Sequence, residues 1–175
     1  MRTSRLVWAE DFARRAHGAI DHRRKYTGEP YILHPQAVVE LVKSVPHSWQ
    51  MLAAAWLHDT VEDCGVSLLD IRRHAGSLVY EYVYWLTDTN VLENRTKRKA
   101  LDRERMARAP GAAQTIKLAD LIDNTISIVE HDPKFARVYL REKEALLQVL
   151  GKGDPMLWKT AQASLRAGFA QLNMA

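Results

Sequence analysis

Residues 53–65 read Ala53-Ala54-Ala55-Trp56-Leu57-His58-Asp59-Thr60-Val61-Glu62-Asp63-Cys64-Gly65, and this stretch decides how the rest of the 175-residue chain is read. Ser48 supplies an N-cap for the apolar helical run that ends at His58. Neighbouring residues on a regular helix diverge by about 100°, so His58 and Asp59 can turn to one ion only where the helix begins to unwind. Residues 60–65 are consistent with such an end. Glu62 and Asp63 follow directly, and a carboxylate there can activate a water.

Two more ligand-type residues lie on either side. His34 precedes Pro35 at a helix entrance, where a side chain can point into a cleft. Asp120 lies in the largely apolar helix marked by Ile116, Leu118, Ala119, Ile122 and Ile126. A carboxylate there is costly unless it is paired, for example with a lysine, or bound to a metal. Asn124 and Ser127 share its face, four and seven residues on. A His-Asp dipeptide alone carries little information; two imidazoles and two carboxylates together describe a site for Mn²⁺, Fe²⁺ or Zn²⁺ with open positions. A cation so held lowers the pKa of a water and polarises a phosphoryl group.

Working outward, nearly every segment reads as helix. Val7, Phe12, Ala16 and Ala19 space a first helix over residues 5–20, and Val38, Val39, Leu41 and Val42 continue from Pro35. Ser67-Leu68-Leu69-Asp70 resembles a capping box, and Gly76 ends that short helix. Val79, Tyr82, Val83 and Leu86 keep a helical period, with Trp56 and Trp85 expected in the core. Asp132-Pro133 and Asp154-Pro155 repeat one start signal, an acid at N-cap before a proline at N1. No alternating strand pattern exceeds about four residues. The expectation is an all-α protein, one domain over residues 1–175.

With hydrophobic residues at 47%, a chain of this length can bury a core without a disulfide, and Cys64, the sole cysteine, cannot form one internally. It reads as a packing residue, since no motif beside it activates a thiol. No run of roughly 18 apolar residues spans a membrane. The basic start, Met1-Arg2-Thr3-Ser4-Arg5, leads into Glu10, Asp11, Arg14 and Arg15, which interrupt any signal-peptide core, so a cytoplasmic location is expected. The net charge of +4 resides in residues 93–108, where Arg95, Lys97, Arg98, Lys99, Arg103, Arg105 and Arg108 outnumber Glu93, Asp102 and Glu104. That segment is either a solvated, salt-bridged helix or a cationic rim that draws in a polyphosphate, with Lys97, Arg98, Lys99 and Arg103 as members and Arg137 beside them. It lacks the interleaved aromatics of a nucleic-acid binder, and the rest of the chain is neutral.

His34, His58-Asp59 and Asp120, in this order, resemble the HD-domain phosphohydrolases. Three blocks are narrower. Thr27-Gly28-Glu29-Pro30-Tyr31-Ile32-Leu33-His34-Pro35, Leu57-His58-Asp59-Thr60-Val61-Glu62-Asp63 and Ile116-Lys117-Leu118-Ala119-Asp120-Leu121-Ile122-Asp123-Asn124 resemble the hydrolase domain of RelA/SpoT-type alarmone enzymes. The resemblance implies a compact helical HD fold, standing alone without synthetase or regulatory domains. It implies Mn²⁺, ahead of Fe²⁺ or Zn²⁺, on His34, His58, Asp59 and Asp120. It implies that Glu62 and Asp63 assist water attack on the 3′-pyrophosphate of a small-molecule nucleotide, ppGpp, releasing pyrophosphate. Lys25, Tyr26 and Thr27 fall at the family's nucleoside pocket, with Asn124 and Ser127 opposite.

The chain departs from the family on that side. Lys25-Tyr26-Thr27 stands where the long enzymes carry Arg-Lys-Ser, which removes a planar guanidinium that stacks on a base. Tyr26 can supply a ring instead, or Arg24 the guanidinium after a one-residue shift, and Asp123 replaces the His or Tyr of many members. An adenine alarmone therefore stands beside the guanine one. Two alternatives remain: a phosphatase of NADPH or another phosphorylated nucleotide on the same scaffold, and a non-enzymatic alarmone or nucleic-acid-binding module. His17, in the first helix, reads as a structural residue or one behind the ligands, while His22, His47, His74 and His131 read as surface or cap residues.

Overall fold

A computed structural model describes residues 3–88 and 93–174; Met1 and Arg2 of the basic start lie outside it. The described residues are helical and contain no strand, only an isolated bridge between Arg23 and Pro30. They form two compact units, Met1–Asp88 and Thr89–Ala175.

The first unit comprises α1 (Ser4–Ala19), α2 (Leu33–Lys43), α3 (Trp49–Leu57), α4 (Thr60–Cys64), α5 (Leu68–Ala75) and α6 (Ser77–Leu86). α3 is its axis. Every residue from Met51 to Leu57 is buried, because α1, α2 and α6 pack around a helix that is apolar on all sides. Ser48 caps it as expected, its hydroxyl accepting from Met51 N–H. Pro35 does not open α2 but stands in its first turn, after Leu33 and His34; backbone N–H groups there have no intrahelical partner, so proline costs nothing.

The buried face of α1 differs from the one expected. Leu6, Ala9, Ala13 and His17 face inward, and Val7 is 40% exposed. Small alanines let the helix backbone approach α3, which a reading weighted by side-chain size passes over. Trp56 is core, whereas Trp85 is half-buried.

The second unit comprises α7 (Arg95–Arg108), α8 (Gly111–His131), α9 (Pro133–Leu147) and α10 (Pro155–Gln171). α8, α9 and α10 pack on one another around Leu118, Leu121, Leu140, Leu157 and Leu165. Both proline start signals hold: Asp132 accepts from Phe135 N–H, and Asp154 accepts from Met156 and Leu157 N–H. The amide of buried Gln114 donates to Met106 and Val149 carbonyls and accepts from Lys152 N–H, tying the end of α7 and the α9–α10 connection to α8. Ile126, expected on the buried face of α8, is 60% exposed, while Ile122 is covered.

Candidate active site

The unwinding required between His58 and Asp59 is present. α3 ends at Leu57, His58 caps it, and Asp59 (φ −98°, ψ −6°) separates it from α4. α4 closes after one turn on Gly65, whose φ of +66° is left-handed backbone that favours glycine. His58 Nδ1 lies 2.8 Å from the Ala55 carbonyl, so the proton sits on Nδ1 and the Nε2 lone pair is left to bind. That Nε2 is 3.0 Å from Asp59 Oδ2. His34, buried in the first turn of α2, brings its Nε2 to 3.5 Å from the same oxygen.

Two imidazole nitrogens and a carboxylate oxygen thus meet within the first unit. With metal–ligand bonds of about 2.0–2.2 Å, neighbouring ligands on one ion stand roughly 3 Å apart, so the donor set fits a divalent cation. Tyr31 completes the group by donating its hydroxyl to Asp59 Oδ2 at 2.7 Å. Nothing at the sequence level singled out Tyr31; its position three residues before His34, one helical turn away, was the available signal.

Asp63 and Glu62 lie on α4 beside this group. Partial desolvation of this solvent-facing carboxyl, reinforced by the charges of Asp59 and Glu62, pushes Asp63 up to about 7 in the metal-free protein, against the pull of His58 and His34. Glu62 is exposed and accepts from the Asp88 N–H. His17 is buried, and His22, expected as a surface or cap residue, is half-buried. Its ring stacks on Tyr31 at 3.8 Å, and its Nδ1 is 3.1 Å from His17 Nδ1. Cys64 is half-buried and held above the usual thiol range, at about 11, by burial and by Asp63, so it is inert as a nucleophile in the absence of a metal.

Residues 24–27 lie in a tight loop between α1 and α2. Arg24 N–H donates to Glu29 O, Gly28 N–H donates to Arg24 O, and Gly28 has a φ of +70°. At its tip Lys25 Nζ donates to the Tyr26 hydroxyl at 3.2 Å and lies over the Tyr26 ring. Thr27 is exposed.

In the second unit, Asp120 is buried on α8 between Lys117 Nζ, 2.9 Å from Oδ2, and Asn124 Nδ2, which donates to Oδ1 at 2.6 Å. The lysine pairing that the sequence allowed is therefore present, and Asn124 shares its face. Ser127 is half-buried on the same helix, its carbonyl 2.8 Å from His131 Nδ1. Behind them burial and Lys117 lower the Lys143 ammonium to about 8. The expected cations divide. Lys99, Arg103 and Arg137 line one groove of about 720 Å³ together with Arg141, which the sequence reading did not include. Lys97 instead pairs with Glu93 at 2.8 Å, and Arg98 is half-buried on α7; neither lines that groove.

Known proteins resemble this chain over most of its length. The HD domain family model matches residues 9–150. A human guanosine-3′,5′-bis(diphosphate) 3′-pyrophosphohydrolase, MESH1, is 35% identical over 123 residues, which is 69% of this chain and 68% of the human protein. A guanosine-3′,5′-bis(diphosphate) 3′-pyrophosphohydrolase of Vibrio cholerae is 36% identical over 85 residues, 49% of this chain and only 12% of that much longer protein. A solved structure of a metazoan ortholog of SpoT, described as hydrolysing ppGpp and playing a role in starvation responses, superposes with a TM-score of 0.86 at 25% identity, covering 95% of this chain and 97% of that one. No helix among the described residues is long and apolar enough to cross a membrane. The helical fold, the His-Asp junction and these matches agree: the chain belongs to the HD-domain family of metal-dependent hydrolases and is homologous to its MESH1- and SpoT-type members.

Proposed function

We propose that this protein is a cytoplasmic, Mn²⁺-dependent 3′-pyrophosphohydrolase of guanosine or adenosine alarmones, (p)ppGpp or (p)ppApp, releasing pyrophosphate. The observation that carries the reading is the meeting of His34 Nε2, His58 Nε2 and Tyr31 Oη on Asp59 Oδ2. It gains support from relatives named for that reaction that match over two thirds of their own length. Asp120 is the fourth ligand in this reading, and one HD-type domain spans both units, as the family match over residues 9–150 does. The donor set suits Mn²⁺, Fe²⁺ or Zn²⁺, and the resemblance to the alarmone hydrolases puts Mn²⁺ first.

When bound, the cation acts as a Lewis acid on the scissile phosphoryl group and makes a water acidic. The chain's own groups then have distinct tasks. His58 presents Nε2 because Ala55 O holds the Nδ1 proton, and Tyr31 fixes the direction of the Asp59 carboxylate. Glu62 takes the water's proton, and Asp63 beside it orients the water. Arg24, Lys25, Tyr26 and Thr27 receive the nucleoside together with Asn124 and Ser127. Lys99, Arg103 and Arg137 receive phosphate oxygens in their groove, and Lys97 and Arg98 on the same helix add to the field that draws in the polyanion.

The test is turnover of ppGpp and ppApp side by side, with Mn²⁺ and NADPH as a third substrate. Pyrophosphate release from an alarmone, abolished in Asp59→Ala and Glu62→Ala, is expected. No turnover by the wild-type protein, or full activity in either variant, defeats the proposal. Orthophosphate release from NADPH alone establishes the phosphatase alternative.

A further inference from the structure

Two cavities of the second unit meet at one side chain. The groove of about 720 Å³ lined by Lys99, Arg103, Arg137 and Arg141 is followed along α9 by another of about 630 Å³, which Glu144 and Arg166 line. Arg141 and Met174 belong to both. We propose that Arg141 reads the length of the substrate's 5′-phosphate chain, holding the third phosphate of a triphosphate, so that pppGpp or pppApp is preferred to ppGpp or ppApp. This preference rests on the alarmone-hydrolase reading above and narrows its substrate to the longer form.

Charge in the first groove is unbalanced. The carboxylate that lines it, Glu142, is taken by Arg95, whose Nε and Nη2 donate to Oε1 and Oε2 at 2.8 and 2.7 Å. Among the described residues no carboxylate pairs with Lys99, Arg103, Arg137 or Arg141. Like charges left facing one groove repel one another, and a multivalent anion relieves that repulsion. Their spacing suits a chain of phosphates. Lys99 and Arg103 stand four residues apart on α7, and Arg137 and Arg141 four apart on α9. Each such step carries the next cation about 6 Å along its helix on the same face.

Arg141 is the cation placed to read the last phosphate. Arg137 is anchored, its Nη2 donating to the Leu172 carbonyl at 2.9 Å, and with Lys99 and Arg103 it already serves a diphosphate in the reading above. Arg141, one turn further on and exposed, stands where the groove opens into the next cavity and a longer chain would emerge. A guanidinium meets two phosphate oxygens with parallel N–H groups, which fixes the terminal phosphate in direction as well as charge. Glu144, three residues along α9, then puts a negative charge into the next cavity and turns away a chain that runs on. The first groove is lined by no aromatic ring on which bases could stack, so a short phosphate chain fits it better than a nucleic-acid strand.

Calorimetric titration of the chelator-treated full chain at low salt, with inorganic tripolyphosphate and with pyrophosphate, tests this. Tripolyphosphate is expected to bind about tenfold more tightly, the size of one charge-assisted hydrogen-bonding contact. In Arg141→Gln the two affinities should converge. In Arg141→Lys, which keeps the charge and loses the fork, part of the gap should remain. Arg141 is exposed, so neither change disturbs the core, and circular dichroism should stay helical. In turnover with Mn²⁺, the ratio of kcat/KM for pppGpp to that for ppGpp should fall in Arg141→Gln by the same factor, through KM. Equal affinities for the two anions in the wild type overturn the proposal. So does a tripolyphosphate preference that survives Arg141→Gln, and so does an equal loss of affinity for both anions, the mark of a merely structural role. The titration needs no turnover, so a protein that hydrolyses no alarmone defeats the proposed function while the calorimetry still decides the role of Arg141.

Discussion

Protonating His17 should destabilise the first unit, and the size of the effect follows from where the ring sits. It is buried, and burial, ahead of the charges of His22, His58 and His34 and against the pull of Asp59, lowers it from 6.5 to about 4. The unfolded chain therefore binds a proton below pH 6.5 that the folded chain refuses until about pH 4. His17's contribution to stability is complete above pH 6.5 and is lost as the pH falls through that window. At about 1.36 kcal/mol per pH unit the whole loss is at most about 3 kcal/mol, of which about 2 kcal/mol has gone by pH 5. His22, also lowered by burial, acts in the same direction. Asp63, raised to about 7, acts in the opposite one, taking up its proton more readily in the folded state as the pH falls. Comparison with His17→Gln, which cannot titrate, isolates the His17 share. Urea unfolding in chelator, followed by the fluorescence of Trp8, Trp49, Trp56 and Trp85 in the first unit, should show the wild-type midpoint falling toward that of the variant by about 1 M between pH 7 and pH 5. Parallel midpoint curves for the two proteins across that range refute the reasoning.

Tyr31→Phe removes the hydroxyl that holds Asp59 Oδ2 while keeping the ring under His22, so metal affinity should fall by about 10- to 100-fold with the fold intact, measured by competition with a chromophoric chelator. Gly111→Ala sets helix propensity against packing. Alanine is the better helix former by about 1 kcal/mol, yet a Cβ at 111 would stand 2.5 Å from the Lys152 carbonyl oxygen, so a net loss of about 1–3 kcal/mol in chemical denaturation is expected. Asp154→Ala removes an N-cap that accepts two backbone N–H groups and should cost about 1 kcal/mol in the same assay. Arg103→Glu reverses one wall of the cationic groove and should raise the KM for an alarmone several-fold at low salt, with the difference shrinking as ionic strength rises.

What could be read in advance was local. Caps and helix starts depend on hydrogen bonds that span three or four residues, and Ser48, Asp132 and Asp154 act as their positions implied. The break between His58 and Asp59 was legible for the same reason, since two adjacent side chains cannot share a target on an unbroken helix. The inward face of α1 was not legible, because Ala9 and Ala13 are chosen for the closeness they permit and not for the apolar area they carry.

The amino-acid sequence alone thus determined that the chain is helical, where most helices begin and end, and which residue types stand ready to bind a cation. Tertiary structure decided which of them meet. Tyr31 reaches Asp59 across 28 residues, and Cys64 reaches His17 across 47. Lys99, Arg103, Arg137 and Arg141 share a groove that Lys97 and Arg98 do not line. Periodicity fixes the direction of a side chain relative to its own helix axis, whereas the meeting of side chains from different helices depends on how those helices pack, and that is set by the burial of residues far from the site.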